Sequence, residues 1–160
     1  MSTRRVVTGF DENGKSVFVS DNQLEGLPST NTTLSSVWRT ASELQIPPKV
    51  PVEDGFGFPS PGGTWVLAWT IPPHSTAGED RAGVTKAGEM PSGGAHATDS
   101  VDVNVIVSGS VVFELEDGSE RVLEVGDTIV VNGVVHTWRN RGDETATLLS
   151  VIFGAERLTN

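Results

Sequence analysis

The chain has 160 residues with a formal net charge of −10 and no cysteine. This length suits one domain with a real core, and the lack of cysteine excludes disulfides, thiolate metal ligands and a cysteine nucleophile. The acidic balance argues against a nucleic-acid partner. With no run of about 18 apolar residues and no apolar signal core, we expect a cytoplasmic protein without a membrane partner.

The N-terminal region combines a predicted hairpin with a long polar arm. Two β-rich runs, Arg4–Val7 and Ser16–Ser20, flank the step Asn13-Gly14, and an Asn-Gly step between such runs is a strong hairpin signal. Residues 21–63 are polar and rich in proline, apart from a strand-like island at Ser35–Thr40. Because proline forbids regular helix, we predict an extended arm that packs on the main domain or on a partner subunit. A flexible, unattached tail is the alternative.

The rest of the chain predicts a dense series of strands. Thr64–Ile71 is a strand ended by two prolines, and one more short strand is expected near Gly83–Lys86. Strands this frequent, with no helical spacing between them, indicate an antiparallel all-β barrel or sandwich. We divide the chain into a hairpin and arm over 1–63 and a barrel over 64–160, within one structural domain. Six further β-rich runs follow: Val101–Val107, Val111–Glu116, Arg121–Val125, Thr128–Val131, Val135–Arg139 and Ala146–Phe153.

Polar side chains recur on one face of two of these predicted strands. Alternate residues of a strand face the same side, so Asp102 and Asn104 share a face, as do His136 and Trp138. His96 lies just upstream. If both faces look into the interior, two imidazoles and a carboxylate converge there, and burying them is costly unless they are hydrogen-bonded, paired or bound to metal. Two histidines and one carboxylate are the ligand set of non-haem Fe(II) oxygenases, and Zn, Mn or Ni would also accept it.

Two stretches resemble the two sequence motifs of the cupin superfamily. The stretch His96–Gly109 looks like the first motif, in which His-x-His is followed by an acid and then a glycine. The stretch Gly126–Asn140 is similar to the second motif, with its Gly-Asp start and a later Gly, His and Asn. The N-terminal hairpin and the Val-Trp-Arg-Thr island also resemble compact bacterial cupins. The resemblance implies a cupin-type antiparallel β-barrel, or double-stranded jelly roll, with an N-terminal hairpin and an extended arm.

The resemblance also implies metal-ligand roles for three residues. His96 matches the first histidine ligand, Asp102 the carboxylate ligand and His136 the histidine of the second motif. The implied cofactor is a divalent ion, with Fe, Zn, Mn and Ni as the candidates. The chain departs from the motif at Thr98, which stands where the second histidine is expected, and at Asp102, which is one methylene shorter than the usual glutamate. The residues expected to line the pocket are Thr98, Asn104, Ile106 and Trp138.

Three functions remain open at this point. One is a metal-dependent cupin that acts on a small organic molecule by oxygenation, decarboxylation, isomerisation or dehydration, with its catalytic residues unassigned. Another, favoured by the threonine at position 98, is a non-catalytic ligand-binding or sensory cupin with a degenerate metal site. A purely structural subunit with a filled interior is a third alternative. The family habit and the proline-rich arm predict a homodimer. We expect Asn140 to be a structural residue at a strand end and His74 to be an exposed loop residue.

Overall fold

The computed structural model describes residues 3–28, 32–40, 58–78 and 94–158. These ranges contain twelve strands and no helix, which confirms the all-β prediction, and hence no helix able to span a membrane. The short strand predicted near Gly83–Lys86 lies outside them. The strands are Thr3–Phe10 (β1), Ser16–Leu24 (β2), Leu27–Pro28 (β3), Thr33–Thr40 (β4), Thr64–Ile71 (β5), Ser75–Thr76 (β6), Ser100–Ser108 (β7), Val111–Leu115 (β8), Glu120–Leu123 (β9), Thr128–Asn132 (β10), His136–Asn140 (β11) and Ala146–Gly154 (β12).

Ten of these strands form two antiparallel sheets that pack face to face. The larger sheet has six strands in the order β10-β7-β12-β5-β4-β3, and the smaller has four in the order β6-β11-β8-β9. Side chains from both sheets meet in one apolar core, to which Ile106 and Leu148 contribute from the larger sheet and Phe113 and Trp138 from the smaller. This is the double-sheet arrangement that the sequence predicts. Among the described strands β9 and β10 end their sheets, so the two sheets do not close into a ring.

Strands β1 and β2 form the predicted hairpin. The carboxylate of Asp11 accepts a hydrogen bond from the backbone N–H of Asn13 at 2.8 Å, and Gly14 supplies the left-handed turn conformation with φ of 75°. The hairpin is a sheet of its own. It touches the larger sheet through Arg5, whose Nη1 donates to the carbonyl of Val37 at 3.5 Å.

Part of the predicted arm is a strand of the larger sheet. The island predicted at Ser35–Thr40 lies within β4, which pairs with β5 from Thr33↔Thr70 to Thr40↔Thr64. Leu34 and Trp65 pack together in a second apolar cluster on the inward side of this pair. Residues 41–57 of the arm lie outside the described ranges, and the division of the chain at residue 63 stays a prediction.

Strand β7 directs its polar residues inward. Asp102, Asn104 and Ile106 are 7%, 3% and 1% exposed, as their predicted common face requires, whereas Val101 and Val107 point to the outer side and are exposed. A strand over an ordinary core shows the opposite alternation, with apolar residues inside and polar residues outside. The inward polar pair therefore marks the interior beside β7 as something other than simple packing.

Candidate functional site

The two histidines selected from the sequence lie side by side. The backbone N–H of His96 donates to the carbonyl of His136 at 2.9 Å, and the reverse hydrogen bond measures 3.0 Å. This antiparallel bridge aligns the two residues and brings their imidazole centroids to 4.5 Å. The predicted convergence of the two imidazoles is present in the fold.

Backbone carbonyls hold both imidazoles in the same tautomer. Nδ1 of His96 lies 3.0 Å from the carbonyl oxygen of Gly94, and Nδ1 of His136 lies 2.9 Å from that of Val134. A carbonyl oxygen can only accept a hydrogen bond, so each Nδ1 carries the proton and each lone pair is on Nε2. Neutral imidazole anchored through Nδ1–H is the form in which histidine ligates a metal ion through Nε2.

His136 is neutral at physiological pH. Burial and, to a smaller extent, the nearby His96 ring lower the pKa of His136 to about 4, and the hydrogen bond to Val134 opposes both effects. The ring stacks on Phe113 with centroids 5.0 Å apart and meets the edge of Trp138 at 5.9 Å. A proton on Nε2 would place a charge among these apolar rings, which explains the direction of the shift.

Asp102 is the buried acid of the site. Burial raises the pKa of its carboxyl, and a hydrogen bond from the Ser100 hydroxyl acts in the opposite direction. The Ser100 hydroxyl also lies 2.7 Å from that of Thr98. The Ser100 hydroxyl has a single hydrogen, which it donates to the Asp102 carboxylate. In the hydrogen bond between Thr98 and Ser100, the Thr98 hydroxyl is therefore the donor. The Oδ1 atom of Asp102 is buried and has no hydrogen-bond partner in the described part of the chain.

Asn104 carries a second unmatched polar atom on the same face of β7. Its Oδ1 accepts a hydrogen bond from the Ser150 hydroxyl at 2.5 Å, and the Ser150 oxygen accepts one from Nε1–H of Trp69 at 2.8 Å. The Nδ2 atom of Asn104 is buried without a partner among the described residues. An unmatched buried polar atom costs about 1–3 kcal/mol. Asp102 and Asn104 thus present one acceptor and one donor, two residues apart, with nothing in the described chain to satisfy them.

The three predicted metal ligands do not assemble into one group. In the ranges that the structure describes, no three His, Asp or Glu side chains lie close enough together to hold a metal ion, so His96 and His136 meet without Asp102. The Asp102 side chain is one methylene shorter than the glutamate of the motif, and it is hydrogen-bonded to Ser100. Thr98, at the position of the missing histidine, is hydrogen-bonded to Ser100 as well. The imidazole nitrogens of His96 and His136 are the donor set that would fit a divalent ion here. Water or a ligand would fill the other coordination positions of that ion.

The remaining predicted pocket residues lie in the apolar core. Ile106 and Trp138 are 1% and 3% exposed. The Trp138 ring meets Phe113 edge-on at 4.8 Å and Trp69 at 5.7 Å. Both residues belong to the main apolar cluster, and their contact with a ligand stays a prediction.

Two further polar residues, Asn140 and His74, lie outside the candidate site. Nδ2 of Asn140 donates to the carbonyls of Ile71 and Glu144 at 2.9 and 2.8 Å, which confirms a structural role at the end of β11. His74 is exposed as expected, and its Nε2 lies 3.0 Å from a carboxylate oxygen of Asp143.

A cavity of about 330 Å³ adjoins the histidine pair and was not foreseen from the sequence. Its walls come from β8, β9 and β10, so it lies where the terminal strands of the two sheets meet. Phe113, which stacks on His136, and Val134, whose carbonyl holds His136, both line it. Val131 lines it too and pairs in register with Asp102. The three consecutive apolar residues Ile129–Val131 were the available signal, but the sequence does not say which strand edges meet.

Part of the C-terminal region of the chain matches the model of a protein family. The family model for the cupin domain (Cupin_2) matches residues 84–152. Phomopsin biosynthesis cluster protein C′ of Diaporthe leptostromiformis is 41% identical over 46 residues, which are 29% of this chain and 24% of that protein. Oryzines biosynthesis cluster protein J of Aspergillus oryzae is 40% identical over 45 residues, 28% of this chain and 25% of that protein. The chain thus spans about a quarter of the length of the curated relatives that it matches.

The fold itself is similar to a solved structure. A conserved protein from Klebsiella pneumoniae with a double-stranded β-helix domain superposes with a TM-score of 0.53 and 18% identity. The alignment covers 82% of this chain and 84% of that one. This likeness extends beyond the family match and agrees with the two facing sheets described above.

Proposed function

Because residues 84–152 of this chain are a cupin domain of the Cupin_2 type, we propose that the protein binds a small organic molecule beside His96 and His136, which together hold a divalent metal ion. The observation that carries the proposal is the pair of adjacent imidazoles fixed in one tautomer by backbone carbonyls. When bound, such an ion acts as a Lewis acid that polarises an oxygen atom of the ligand.

The inward face of β7 supports a ligand with both a hydrogen-bond donor and an acceptor. Oδ1 of Asp102 accepts from the ligand and Nδ2 of Asn104 donates to it, which would satisfy the two atoms that the described chain leaves unmatched. Successive inward residues of a strand are about 7 Å apart, so the two groups of the ligand are separated by a few bonds. Hydroxy acids and hydroxy ketones have this pattern. The raised pKa of Asp102 also suits a group that exchanges a proton with the ligand.

The adjoining cavity supports an apolar body for the same ligand. Its volume of about 330 Å³ is at the lower end of ordinary ligand pockets, which hold about 300–1,000 Å³. Phe113, Ile129 and Val131 supply apolar wall, and Glu120 and Arg121 add one charge of each sign. A compact molecule with one polar end and one hydrocarbon or aromatic end fits both the cavity and the polar atoms of β7.

Metal binding is tested with asparagine substitutions at the three histidines of the chain. In His96→Asn and His136→Asn the amide Nδ2 keeps a donor for the same carbonyl while Nε2 is removed. His74→Asn is the matched control, because His74 is exposed and its φ of 51° is one that asparagine tolerates. Titration of the chelator-treated protein with Zn²⁺ or Ni²⁺ should give one ion per chain in wild type and in the control, and little binding in the other two. Equal binding in all four proteins, or none in wild type, would contradict the proposal.

A metal-free ligand-binding protein is the second candidate. It is favoured by the lack of a third His, Asp or Glu beside the histidine pair in the described ranges. A thermal-shift screen of hydroxy acids and hydroxy ketones, with and without chelator, separates the two, since a ligand that binds only the native state raises the melting temperature by mass action. Stabilisation that survives chelator supports the second candidate, and stabilisation that chelator removes supports the first. Asp102→Asn should weaken either response, while Asp143→Asn on an exposed loop should not.

A further inference from the structure

The segment that follows the last strand carries an arginine that reaches back to the candidate site. Strand β12 ends at Gly154, and the backbone N–H of Ala155 then donates to the carbonyl of Asp99 at 2.9 Å. Two residues later, Nε of Arg157 donates to the carboxylate of Asp99 at 2.5 Å. The family model ends at residue 152, so this contact is a feature of the chain outside the matched region.

The guanidinium of Arg157 also joins the two segments that carry the histidines. Its Nη2 donates to the carbonyl of Thr98 at 2.9 Å and to the carbonyl of Gly133 at 3.0 Å. Thr98 comes shortly after His96 in the sequence, and Gly133 comes shortly before His136. Carbonyl oxygens only accept hydrogen bonds, so these two cannot bond to each other, and the donor that binds both of them links the two segments.

This link lies next to the point where the backbone pairing of the two segments stops. His96 and His136 form an isolated bridge outside the named strands, and short pairings of this kind open more readily than long ladders. The fit beside the bridge is close, because a Cβ on Gly133 would lie 3.0 Å from the carbonyl oxygen of Thr98 and 3.2 Å from Nη2 of Arg157. The guanidinium therefore supplies hydrogen bonds between the segments where the backbone supplies none.

We propose that Arg157 is a positioning residue, which keeps His96 and His136 aligned and so sets how tightly the pair holds a metal ion. This rests on the metal binding proposed above for the two histidines, and Arg157 acts on them through the backbone. The ion pair with Asp99 contributes little by itself, because the two side chains are 50% and 44% exposed and exposed ion pairs are weak. The hydrogen bonds to the two carbonyls carry the effect.

Hydrogen exchange of the metal-free protein, followed at single amides by NMR, tests the alignment without a metal ion. In Arg157→Gln the backbone N–H groups of His96 and His136 should exchange about tenfold faster, because losing charge-assisted hydrogen bonds favours local opening by about that factor. The N–H of Ala77, which donates to the carbonyl of Trp138 at 2.9 Å, is the internal reference and should not change. Equal acceleration of all three amides would indicate a general loss of stability, and either that result or unchanged rates at both histidines would overturn the proposal.

Zinc binding tests the consequence for the site. Titration of the chelator-treated full chain with Zn²⁺ should give a dissociation constant about tenfold higher in Arg157→Gln than in wild type. Arg4→Gln is the matched control, because Arg4 also forms an ion pair with an aspartate, Asp21, but on the N-terminal hairpin, and it should bind Zn²⁺ as wild type does. Asp99→Asn keeps an acceptor oxygen for Nε and should stay within about threefold of wild type. An effect as large as that of Arg157→Gln would mean that the ion pair, and not the bonds to the carbonyls, positions the site.

The two measurements separate the role of Arg157 from the metal site itself. A wild type that does not bind Zn²⁺ would contradict the metal site, while the exchange rates would still show whether Arg157 aligns the histidines. Faster exchange at the histidines with an unchanged dissociation constant would mean that the alignment does not set metal affinity, which would overturn the proposal. If Arg157→Gln does not fold by circular dichroism, Arg157→Lys takes its place, since lysine keeps the charge but lacks the fork of nitrogens.

Discussion

The depressed pKa of His136 makes the stability of the protein depend on pH in a defined direction. The pKa of His136 is about 4 in the native state, compared with the ordinary 6.5. Between pH 6.5 and pH 4 the imidazole is therefore protonated in the unfolded chain but neutral in the native state. The stability that neutral His136 contributes is therefore complete above pH 6.5 and is lost as the pH falls towards 4. The full loss is about 3 kcal/mol, and about 2 kcal/mol of it has occurred at pH 5.

Urea unfolding at pH 7.5 and pH 5, in the presence of chelator, measures this loss. The free energy of unfolding of wild type should fall by about 2 kcal/mol more than that of His136→Asn, while the exposed-loop variant His74→Asn should behave like wild type. Asp102, whose pKa is raised by burial, changes stability in the opposite direction, but it is present in all three proteins and cancels in the difference.

A direct titration provides the measurement if His136→Asn is too unstable to study. The chain has three histidines, and the His136 imidazole resonance should keep its neutral chemical shift down to about pH 5. An inflection near pH 6.5, or equal losses of stability in wild type and His136→Asn, would refute the reasoning from burial.

Two further predictions concern the polar interior and the turns. Asp102→Asn should raise the free energy of unfolding by about 1 kcal/mol at pH 8, where wild type buries a carboxylate whose Oδ1 has no partner among the described residues, and the gain should become smaller in urea unfolding at pH 4; an undiminished gain at pH 4 would exclude the charge as its cause. Gly109→Ala should cost about 2 kcal/mol or more, because φ is 70° and the new Cβ lies 2.8 Å from the Cα of Ala146. Gly118→Ala, with φ of 79° and no atom within 4 Å, should cost about 1 kcal/mol, and equal costs would contradict the steric argument.

The strands were predictable because their alternation and turns are local signals. The hairpin around Asn13-Gly14, the strand Thr64–Ile71 and the six later runs all occur in the structure within a few residues of their predicted bounds. Strands β3 and β6 have two residues each and follow from pairing with β4 and β11, which no local pattern reveals. The meeting of His96 with His136 was predictable for another reason, since the cupin motifs carry their relative placement.

What the sequence could not provide is the distance between side chains that share a face. Asp102 was expected to join the two histidines, and its inward direction is as predicted. Its hydrogen bond to Ser100 and its shorter side chain depend on atomic positions that alternation does not fix. The same is true of the cavity, whose walls belong to terminal strands of different sheets.

Strand β7 supports the proposed ligand site, because its sequence reverses the usual alternation of inward apolar and outward polar residues. Evenly spaced valines occupy its outer side, and Asp102 and Asn104 occupy its inner side. Buried polar atoms without a hydrogen-bond partner cost free energy, and in the described part of the chain Oδ1 of Asp102 and Nδ2 of Asn104 have none. An interior ligand that donates to Asp102 and accepts from Asn104 would remove this cost. The proposed ligand therefore explains why β7 carries polar residues on the side that in other strands packs against the core.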